Sequence, residues 1–513
     1  MQKKSLILKL CLFVTGLAGI MAEFVLSTLA SYLLGNSIFQ WSLIISLMLF
    51  AMGVGSYVSQ FIKTHILDSF IFAECALSLL TAISAAVTYT IAAFTQAANV
   101  FIYALSLFIG CLIGLEIPLV TRINESYETL RVNISSVMEF DYLGSVVGGL
   151  LFSFFALPYL GLTYTPIALG GVNLFVASLL VLKFRSLIYY KRAVYTAYAI
   201  VFLTLTVLTI TIRPVILYGE QKQYRDPIIY KQQTLYQKIV VTQWKNYYWL
   251  YLNRNLQFST FDEKRYHEPL VHPAMSLAPV KKNVLVLGGG DGLAVREILK
   301  YTDLEKITLV DLDPQMTELG KHFYVFVEAN KGSLNDKKVQ IINQDAFEYL
   351  KESKEFFDII IVDLPDPRTV ELAKLYSKNF YIHAWKSLSR YGVIVTQSCD
   401  ILMQTRAFNT ITKTMEAAGF SVVPYHNFVP TMGDWGWNIG MKSDVMTSEN
   451  MRNRLMNLDF KNVKTEFLNQ SAMIGMVHFG KGVLNIKEEV QVNTEFHPHV
   501  YLYYNEGYQV MLE

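Results

Sequence analysis

Five aspartates follow hydrophobic runs in the second half of this sequence, and their spacing predicts a shared site. They are Asp291, Asp311, Asp345, Asp363 and Asp366. The preceding runs, such as VLVLG (284–288) and FDIIIV (357–362), have the length and composition of buried parallel strands. Ligands of such sheets bind at the carboxyl ends of the strands. Any one aspartate is also a good helix N-cap, but five together predict a ligand crevice.

The turn after the first of these strands, GGGDG at 288–292, indicates the kind of ligand. Glycine-rich turns before a helix usually hold phosphate, but Asp291 would repel a pyrophosphate. Asp311 follows twenty residues later, a spacing typical of an acid that accepts hydrogen bonds from a ribose diol. A nucleoside carrying an alkyl amine and a sulfonium suits both features. The pattern therefore favours S-adenosylmethionine or its decarboxylated form over a dinucleotide.

The elements that would position these aspartates can be predicted from hydrophobic patterning. Strands and helices alternate from residue 283 onward, which predicts an α/β domain with a Rossmann-like, doubly wound parallel sheet at 281–445. The segments VILYGEQK, KIVVTQW, YYWLYLN and LQFST predict a small β-sheet domain at 213–280. Residues 446–513 are predicted to be an added α+β extension of unknown role.

The first 212 residues have a different character and predict a multi-pass α-helical membrane domain. Hydrophobic residues make up 52% of the whole chain. Lysines and arginines cluster at alternate ends of the apolar segments, and the positive-inside rule then puts the N-terminus in the cytosol. Seven segments are long enough to cross a bilayer: 6–34, 41–62, 69–94, 100–121, 142–160, 163–182 and 193–212.

Three acids, Glu23, Glu74 and Glu116, lie inside the apolar segments. Acids at that depth are costly and suggest a polar cavity or an ion path. The simpler interpretation is that they lie near the membrane interfaces or pair inside the bundle. Both interpretations stay open at the level of sequence.

Composition argues against two other classes of site. The net charge is +2, and no basic stripe interleaved with aromatic residues is present, so nucleic-acid binding is not predicted. Four cysteines, Cys11, Cys75, Cys111 and Cys399, include no pair with metal-ligand spacing. We therefore predict no metal site.

The motifs of the second half resemble those of the spermidine synthase family, the polyamine aminopropyltransferases. The resemblance covers about 230–440 and implies a membrane-fused member of that family. It implies transfer of the aminopropyl group of decarboxylated S-adenosylmethionine to putrescine, giving spermidine and methylthioadenosine without a cofactor. Relatives commonly form homo-oligomers. The matching pieces are LYQKIVV, DEKRYHEPLVHPAM, VLVLGGGDGLAVRE, VDLD, NQDAFEYL, DIIIVDLPDP, LYSKNFY, VTQS, and YHNFVPT followed by WGW.

The same resemblance implies roles for individual residues. Asp363 would be the catalytic base, and with Asp291 it would hold the aminopropyl ammonium of the donor. Asp311 would accept the ribose hydroxyls, and Asp345 with its neighbour Ala346 would lie at the adenine. The remaining implied contacts are Gln237 on the donor side, and Tyr266, His267, Asp366 and Tyr425 on the acceptor side.

Several residues depart from the family pattern, mostly on the acceptor side. Leu364 and Pro365 stand where relatives carry small hydroxyl residues, and Arg368 and Thr369 stand where many carry Gly-Pro. LNRN (252–255) replaces an Asp-Gly turn, and Met432 replaces a common tyrosine. Alternatives are therefore another amine acceptor, a methyltransferase using intact S-adenosylmethionine, or a transporter or sensor that binds polyamine or nucleoside without turnover.

The predicted topology contains a conflict. Seven crossings from a cytosolic N-terminus would leave the second half outside, but decarboxylated S-adenosylmethionine is made in the cytosol. We expect a cell-membrane protein whose catalytic domain faces the cytosol. The run 142–182, which Pro158 and Gly161 interrupt, is the segment most open to miscounting.

Overall fold

A computed structural model describes residues 2–34, 37–95, 97–485 and 489–510. Residues 35–36 and 96, which connect predicted apolar segments, and residues 486–488 and 511–513 of the predicted extension, lie outside the described residues. The chain divides into two compact units, Met1–Arg225 and Asp226–Glu513. This division lies later than the predicted boundary at residue 212, because the last helix of the first unit continues past it.

The first unit is built from helices. Its described residues include six helical stretches that are long and apolar enough to cross a membrane. The α-helices are α1 (Gln2–Leu34), α2 (Ser37–Ser59), α3 (Ile66–Phe94), α4 (Ala98–Asn124), α5 (Leu130–Leu151), α6 (Gly161–Lys183) and α7 (Lys191–Lys222); a π-helix (Phe152–Leu160) joins α5 to α6, and a 3-10 turn (Arg185–Leu187) follows α6.

The predicted fifth and sixth segments belong to one helical stretch, Leu130–Lys183, which has 54 residues. At ~1.5 Å per residue a straight helix of that length would span roughly 80 Å, far more than the ~30 Å hydrocarbon core of a bilayer. The stretch is interrupted at Gly161, whose φ of +61° is one that favours glycine. The two sides of the break therefore count as separate segments.

Neighbouring contacts show that α5 and α6 run in opposite directions. Gly144 and Gly148 of α5 pack against the backbone of Phe13 and Leu17 of α1, in that order, so α1 and α5 are parallel. Close to the start of α1, the Lys4 ammonium lies 5.7 Å from the centre of the Phe184 ring, just after α6 ends. The seven predicted apolar segments thus correspond to α1–α7.

One end of the bundle gathers basic residues. Lys9 forms an ion pair of 2.7 Å with Glu128. Arg122 at the end of α4 donates hydrogen bonds of 2.8 Å to the carbonyls of Ser59 and Ile62, where α2 ends. This end is hereafter the basic end. The clustering agrees with the alternation of charge along the sequence.

Helix α7 starts near the basic end and finishes at the other. The N–H of Tyr190, the residue before α7, donates to Asp68 near the start of α3 at 2.9 Å. Near the far end of α3, Tyr89 packs against Gly219 of α7. Helices α3 and α7 are therefore parallel, and Lys222 lies at the end of the bundle opposite the basic end.

The second unit begins with a four-stranded antiparallel sheet of β1 (Ile228–Gln233), β2 (Lys238–Trp244), β3 (Tyr247–Leu252) and β4 (Asn255–Ser259). Three of the four predicted strands are present. The fourth prediction, a strand at VILYGEQK, is wrong, because these residues are the last turns of α7. Buried Ile212, Ile216 and Gly219 follow a helical spacing there.

The turn at LNRN explains one departure from the family pattern. Asn253 and Arg254 have φ values of +48° and +70°, and a two-residue hairpin turn requires such values. The Asn253 side chain accepts a hydrogen bond of 2.9 Å from the N–H of Lys238, at the start of the neighbouring strand β2. Asparagine tolerates this conformation better than most residues, so the turn forms without glycine.

A seven-stranded sheet follows, with the order β10-β11-β9-β8-β5-β6-β7. Strands β5 to β9 are parallel, and β11 is antiparallel to its neighbours β9 and β10. The chain moves outward from β5 in one direction and then from β8 in the other, which opens a crevice at their carboxyl ends. The strands are β5 (Asn283–Gly288), β6 (Lys306–Asp311), β7 (Val339–Asn343), β8 (Phe357–Asp363), β9 (Leu388–Asp400), β10 (Phe420–Val429) and β11 (Gly433–Lys442).

Helices cover both faces of this sheet, as the doubly wound prediction requires. They are α8 (Lys264–Leu277), α9 (Leu293–Ile298), α10 (Pro314–His322), α11 (Tyr324–Asn330), α12 (Ala346–Glu352), α13 (Val370–Lys374), α14 (Lys378–Ser387) and α15 (Thr405–Ala417), with a 3-10 turn at Ser333–Asn335. The predicted α/β fold of 281–445 is therefore present.

The extension differs from its predicted α+β character. Its described residues form α16 (Ser448–Met456), α17 (Gln470–Met476) and α18 (His499–Val510), and no strand. Met451 and Met473 join the core on one side of the large sheet. Val500 and Tyr504 join the core on the other. The extension therefore completes both faces of the catalytic fold.

Candidate active site

The glycine turn after β5 lies directly against two predicted site residues. Gly289 has a φ of +67°, and a side chain there would come within 3.0 Å of the Asp363 carboxylate. A side chain on Gly290 would come within 2.7 Å of the Asp311 carboxylate. Glycine is needed because the backbone passes so close to these carboxylates.

Asp291 and Asp363 form a pair of acids at the ends of β5 and β8; Asp291 is buried and Asp363 is half-buried. Asp291 Oδ1 accepts the N–H of Leu293 at 2.8 Å. Burial raises the pKa of Asp291 to about 6, and of the nearby charges His267 lowers this pKa whereas Asp363 raises it. Burial also raises the pKa of Asp363. A ligand with a positive charge would relieve the repulsion between the two, so this turn suits an ammonium or sulfonium.

Tyr266 of α8 holds Asp363 in place. Its hydroxyl donates to Asp363 Oδ1 at 2.7 Å, and burial together with the Asp363 charge raises the pKa of the phenol well above its usual value. Tyr266 therefore acts as a neutral hydrogen-bond donor to the carboxylate. Its ring packs on Trp437, with 5.6 Å between ring centres.

His267 brings a third charged group to the acids. Its Nδ1 lies 3.0 Å from the Glu263 carbonyl and 3.2 Å from the Glu263 carboxylate. Burial opposes protonation of His267, but Glu263 outweighs burial and raises the pKa of the imidazole. Arg296 donates to both oxygens of Glu263, at 2.9 and 2.8 Å. The resulting network is Arg296–Glu263–His267, and it faces Asp291 and Asp363.

Asp311, at the end of β6, is held by backbone donors. Its Oδ2 accepts the N–H of Gly290 at 3.0 Å, and its Oδ1 accepts the N–H of Asp313 at 2.9 Å. Burial raises the pKa of Asp311 to about 6. Gln237 lies beside it but bonds to Asp313, with Nε2 3.0 Å from Oδ2. Both predicted donor-side residues therefore meet at the β6 end of the crevice.

Asp345 and Ala346 lie where β7 passes into α12. Asp345 is the N-cap of that helix and accepts the N–H groups of Phe347 and Glu348 at 2.8 and 3.1 Å. Ala346 is buried at the first helical position. The simpler N-cap interpretation is therefore true of Asp345, and its contact with adenine stays a prediction.

The acceptor-side residues are not all in one place. Asp366 is buried in the loop after β8 and lies near enough to Tyr266 to interact electrostatically with it. Tyr425 is fully buried, stacks on Trp437 and donates its hydroxyl to the Pro269 carbonyl at 2.8 Å. The structure therefore uses Tyr425 to support α8, and a direct contact with the acceptor stays a prediction.

The three acids of the apolar segments, Glu23, Glu74 and Glu116, lie in the helical unit. Glu74 is fully buried, and neither of its oxygens has a hydrogen-bond partner among the described residues. It interacts electrostatically with the buried Glu116, which in turn receives a hydrogen bond from Thr15. Glu23 is also buried. Glu74 and Glu116 therefore pair inside the bundle, whereas their position relative to a membrane interface stays a prediction.

Comparison with known proteins shows to which family this chain is related. The chain is 44% identical to Polyamine aminopropyltransferase 2 of Aquifex aeolicus, over 97% of this chain and 98% of that protein. It belongs to the polyamine aminopropyltransferase family. Polyamine aminopropyltransferase of Oceanobacillus iheyensis is 35% identical over 97% of this chain and 96% of that protein.

Two further comparisons concern the catalytic unit of this aminopropyltransferase. The family described as the spermine/spermidine synthase domain matches residues 263–452. A crystal structure of spermidine synthase in complex with the transition-state analogue AdoDATO is 25% identical, with a TM-score of 0.45, and covers 50% of this chain and 88% of that one.

Family membership confirms the resemblance, the α/β fold and the enzyme class that the sequence predicts. The substrate roles of individual residues stay predictions, although the structure brings Asp291, Asp363, Tyr266 and His267 together. Sequence reasoning missed three features of the aminopropyltransferase site. Asp313 was missed because Asp311, two residues earlier, already fitted the expected spacing. The Glu263–Arg296 pair was missed because its residues are far apart in the chain, and Tyr504 because it lies in the extension.

Proposed function

We propose that this aminopropyltransferase transfers the aminopropyl group of decarboxylated S-adenosylmethionine to putrescine. The observation that carries the proposal is the acid pair formed by the buried Asp291 and the half-buried Asp363, at the carboxyl ends of neighbouring strands. The donor carries an ammonium and a sulfonium, and each suits a carboxylate. No cofactor takes part in the proposed reaction.

The proposed chemistry is a direct displacement at the carbon next to sulfur. The amine nitrogen of putrescine forms the new C–N bond while the C–S bond breaks, and the electron pair leaves with methylthioadenosine. The attacking amine must lose a proton, and Asp363 accepts it as general base. Tyr266 holds one oxygen of Asp363, which fixes the base against the nucleophile. Correct alignment of nitrogen, carbon and sulfur supplies much of the remaining rate.

The same acid pair disfavours methyl transfer from intact S-adenosylmethionine. That donor carries a carboxylate beside its amine, and Asp291 and Asp363 would repel it. Like charges close together in a buried site are strongly unfavourable. The pair therefore selects the decarboxylated donor.

The test uses the full-length protein in detergent with decarboxylated S-adenosylmethionine and a panel of amines. Methylthioadenosine is measured by mass spectrometry. We expect release with putrescine, and little or none when intact S-adenosylmethionine replaces the donor. Release with a different amine only would replace putrescine in the proposal, and binding without release would point to a sensor. Light scattering of the same sample tests whether this protein forms a homo-oligomer, as the family resemblance implies.

We further propose that α1–α7 span the cell membrane and that the catalytic unit faces the cytosol, where the donor is made. Because α7 ends opposite the basic end, this placement puts Lys9 and Arg122 outside, against the positive-inside rule. The cytosolic supply of the donor favours a cytosolic catalytic unit. The distribution of lysines and arginines favours the opposite orientation, with the basic end in the cytosol.

Cysteine labelling tests this placement. Leu235→Cys places a thiol in the catalytic unit at a residue that is 86% exposed. Lys63→Cys places one near the basic end, and both are made after Cys111, the half-buried native cysteine, is replaced by serine. In intact cells we expect an impermeant maleimide to label only the Lys63→Cys variant. Labelling of the Leu235→Cys variant would show that the catalytic unit lies outside.

A second candidate function, passage of an organic cation through the bundle, rests on Glu74. An unpartnered acid that is fully buried among helices has no role in packing that would offset its cost. The test follows uptake of labelled spermidine into proteoliposomes containing the wild type, Glu74→Gln, or the exposed control Glu139→Gln. Loss of uptake in Glu74→Gln alone supports passage. Equal uptake in all three counts against it.

A further inference from the structure

The Asp366 carboxylate is satisfied on one side only. Its Oδ2 accepts the Tyr504 hydroxyl at 2.7 Å and Arg368 Nη2 at 3.2 Å. Its Oδ1 is buried, and no described residue donates a hydrogen bond to it. A buried carboxylate oxygen without a donor is costly. The missing donor is therefore expected to come from a ligand in the crevice.

Tyr504 reaches Asp366 from the extension, far outside the matched domain at 263–452. It lies in α18 with its side chain 1% exposed. Helix α18 packs on α15, and Gly507 lies so close to the Met403 carbonyl that a side chain would come within 2.1 Å of it. The Arg406 guanidinium lies 4.0 Å from the centre of the Tyr503 ring. These contacts fix the height and rotation of the helix.

The segment before α18 is fixed to the catalytic fold as well. The Asn493 side chain donates to the Ala373 carbonyl at 2.8 Å, and the backbone carbonyl of Asn493 accepts the N–H of Lys378 at 2.9 Å. Glu495 accepts hydrogen bonds from Ser377 and Asn379 at 3.2 and 2.7 Å. The extension is thus anchored at several points around the loop that carries Asp366.

Arg368 completes the arrangement. Its guanidinium lies 5.4 Å from the centre of the Tyr504 ring and also donates to Asn255 of the β3–β4 hairpin. A permanent positive charge therefore lies beside Asp366, bonded to Oδ2 and not to the unpartnered Oδ1. A further ammonium, carried by an amine longer than a diamine, would be repelled by the Arg368 guanidinium.

We propose that Tyr504 is a positioning and specificity-determining residue for the acceptor amine. With Arg368 it holds Oδ2 of Asp366, so that Oδ1 faces the distal ammonium of a diamine, and the Arg368 charge excludes a longer triamine. This inference rests on the proposed function, because it requires a diamine acceptor. It assigns the extension a role in acceptor selection.

The test compares Tyr504→Phe with Tyr503→Phe, which removes a hydroxyl from the neighbouring residue of the same helix. Steady-state rates are measured in the full-length protein with putrescine, spermidine and butylamine, which lacks a distal ammonium. In Tyr504→Phe we expect KM for putrescine to rise about 10-fold, the order expected for losing a hydrogen bond to a charged group. The donor KM should stay unchanged, and the preference for putrescine over butylamine should shrink.

A second variant, Arg368→Gln, tests the charge. We expect kcat/KM for spermidine to rise relative to that for putrescine. Tyr503→Phe should match the wild type in every ratio. Unchanged amine preference in both Tyr504→Phe and Arg368→Gln, with melting temperatures equal to the wild type, would overturn the inference. A wild type that releases no methylthioadenosine with any amine would instead overturn the proposed function.

Discussion

The catalytic unit and the helical unit both bury carboxylates, but they treat them differently. Asp363 accepts a hydrogen bond from the Tyr266 hydroxyl, and Asp291 accepts one from the backbone N–H of Leu293. Glu74 is more deeply buried than either, yet no described residue donates a hydrogen bond to it. Donors stabilise the charged form of a carboxylate. The catalytic unit is therefore arranged to keep its acids charged for a cationic substrate, whereas the helical unit provides no such support for Glu74.

The largest effect should follow from removing the charge that carries the chemistry. We expect Asp363→Asn to lower kcat by about 10²–10⁴-fold, the usual contribution of a general base. Asparagine keeps the size of the side chain and can still accept from Tyr266, so the pocket should keep its shape. The measurement is methylthioadenosine release, with donor binding followed by calorimetry.

The matched control for this variant is Asp336→Asn, at an exposed aspartate in a loop of the same unit. It should match the wild type in rate and binding. Full activity of Asp363→Asn would show that another group takes the proton, and the contrast between the supported and unsupported acids would lose its functional meaning.

The pH dependence should report two other acids of the same crevice. Asp291 and Asp311 both have pKa values of about 6 because burial opposes their charge. Each binds a cationic or hydroxyl group as a carboxylate, so kcat/KM should fall as the pH drops through about 6. The measurement is the rate at each pH from 5 to 8. Enzyme from each pH is then returned to pH 7.5, and full recovery of activity excludes inactivation. A midpoint near pH 4 would mean that these acids are not so strongly buried in solution.

A smaller effect concerns stability. The folded-state pKa of Asp291 is raised above the unfolded value, so the folded protein loses stability as the pH rises from about 4 through 6. Asp291→Asn removes this penalty and should stabilise the ligand-free enzyme at pH 7.5 by on the order of 1–3 kcal/mol, while weakening donor binding. Thermal unfolding is the measurement, with the exposed Asp303→Asn as control. Equal destabilisation by both variants would contradict the expectation that the buried Asp291 charge lowers the stability of the folded protein.

Much of the fold could be predicted because each element has its own local pattern. The glycine turn and the strand ends at Asp291, Asp311 and Asp363 follow from period and spacing alone. The strand predicted at VILYGEQK failed because β-branched and aromatic residues also suit a helix once a partner packs on one face, as Tyr89 does on Gly219. Tertiary contact decided the structure there.

The site could be predicted only where its residues lie in motifs. Arg296 and Glu263 are 33 positions apart, and Tyr504 and Asp366 are 138 apart, so no local spacing joins either pair. The direction of the Tyr425 side chain could not be predicted either, because a tyrosine in a strand can point to either face of the sheet. Long-range packing sets all three.

The smallest effect should come from the acid that the structure leaves unsupported. Glu74→Gln removes the possibility of charge but keeps size and polarity, and Glu74 lies in a different unit from the catalytic acids. We expect kcat and both KM values in detergent to stay within about 2-fold of the wild type, because a change of 0.4 kcal/mol or less is about 2-fold. Thermal unfolding of the helical unit should occur at an equal or higher temperature, because removing an unpaired buried acid costs nothing in lost hydrogen bonds. The exposed Glu139→Gln is the control. A fall in turnover would show that the two sets of acids are coupled, and the helical unit would then take part in catalysis.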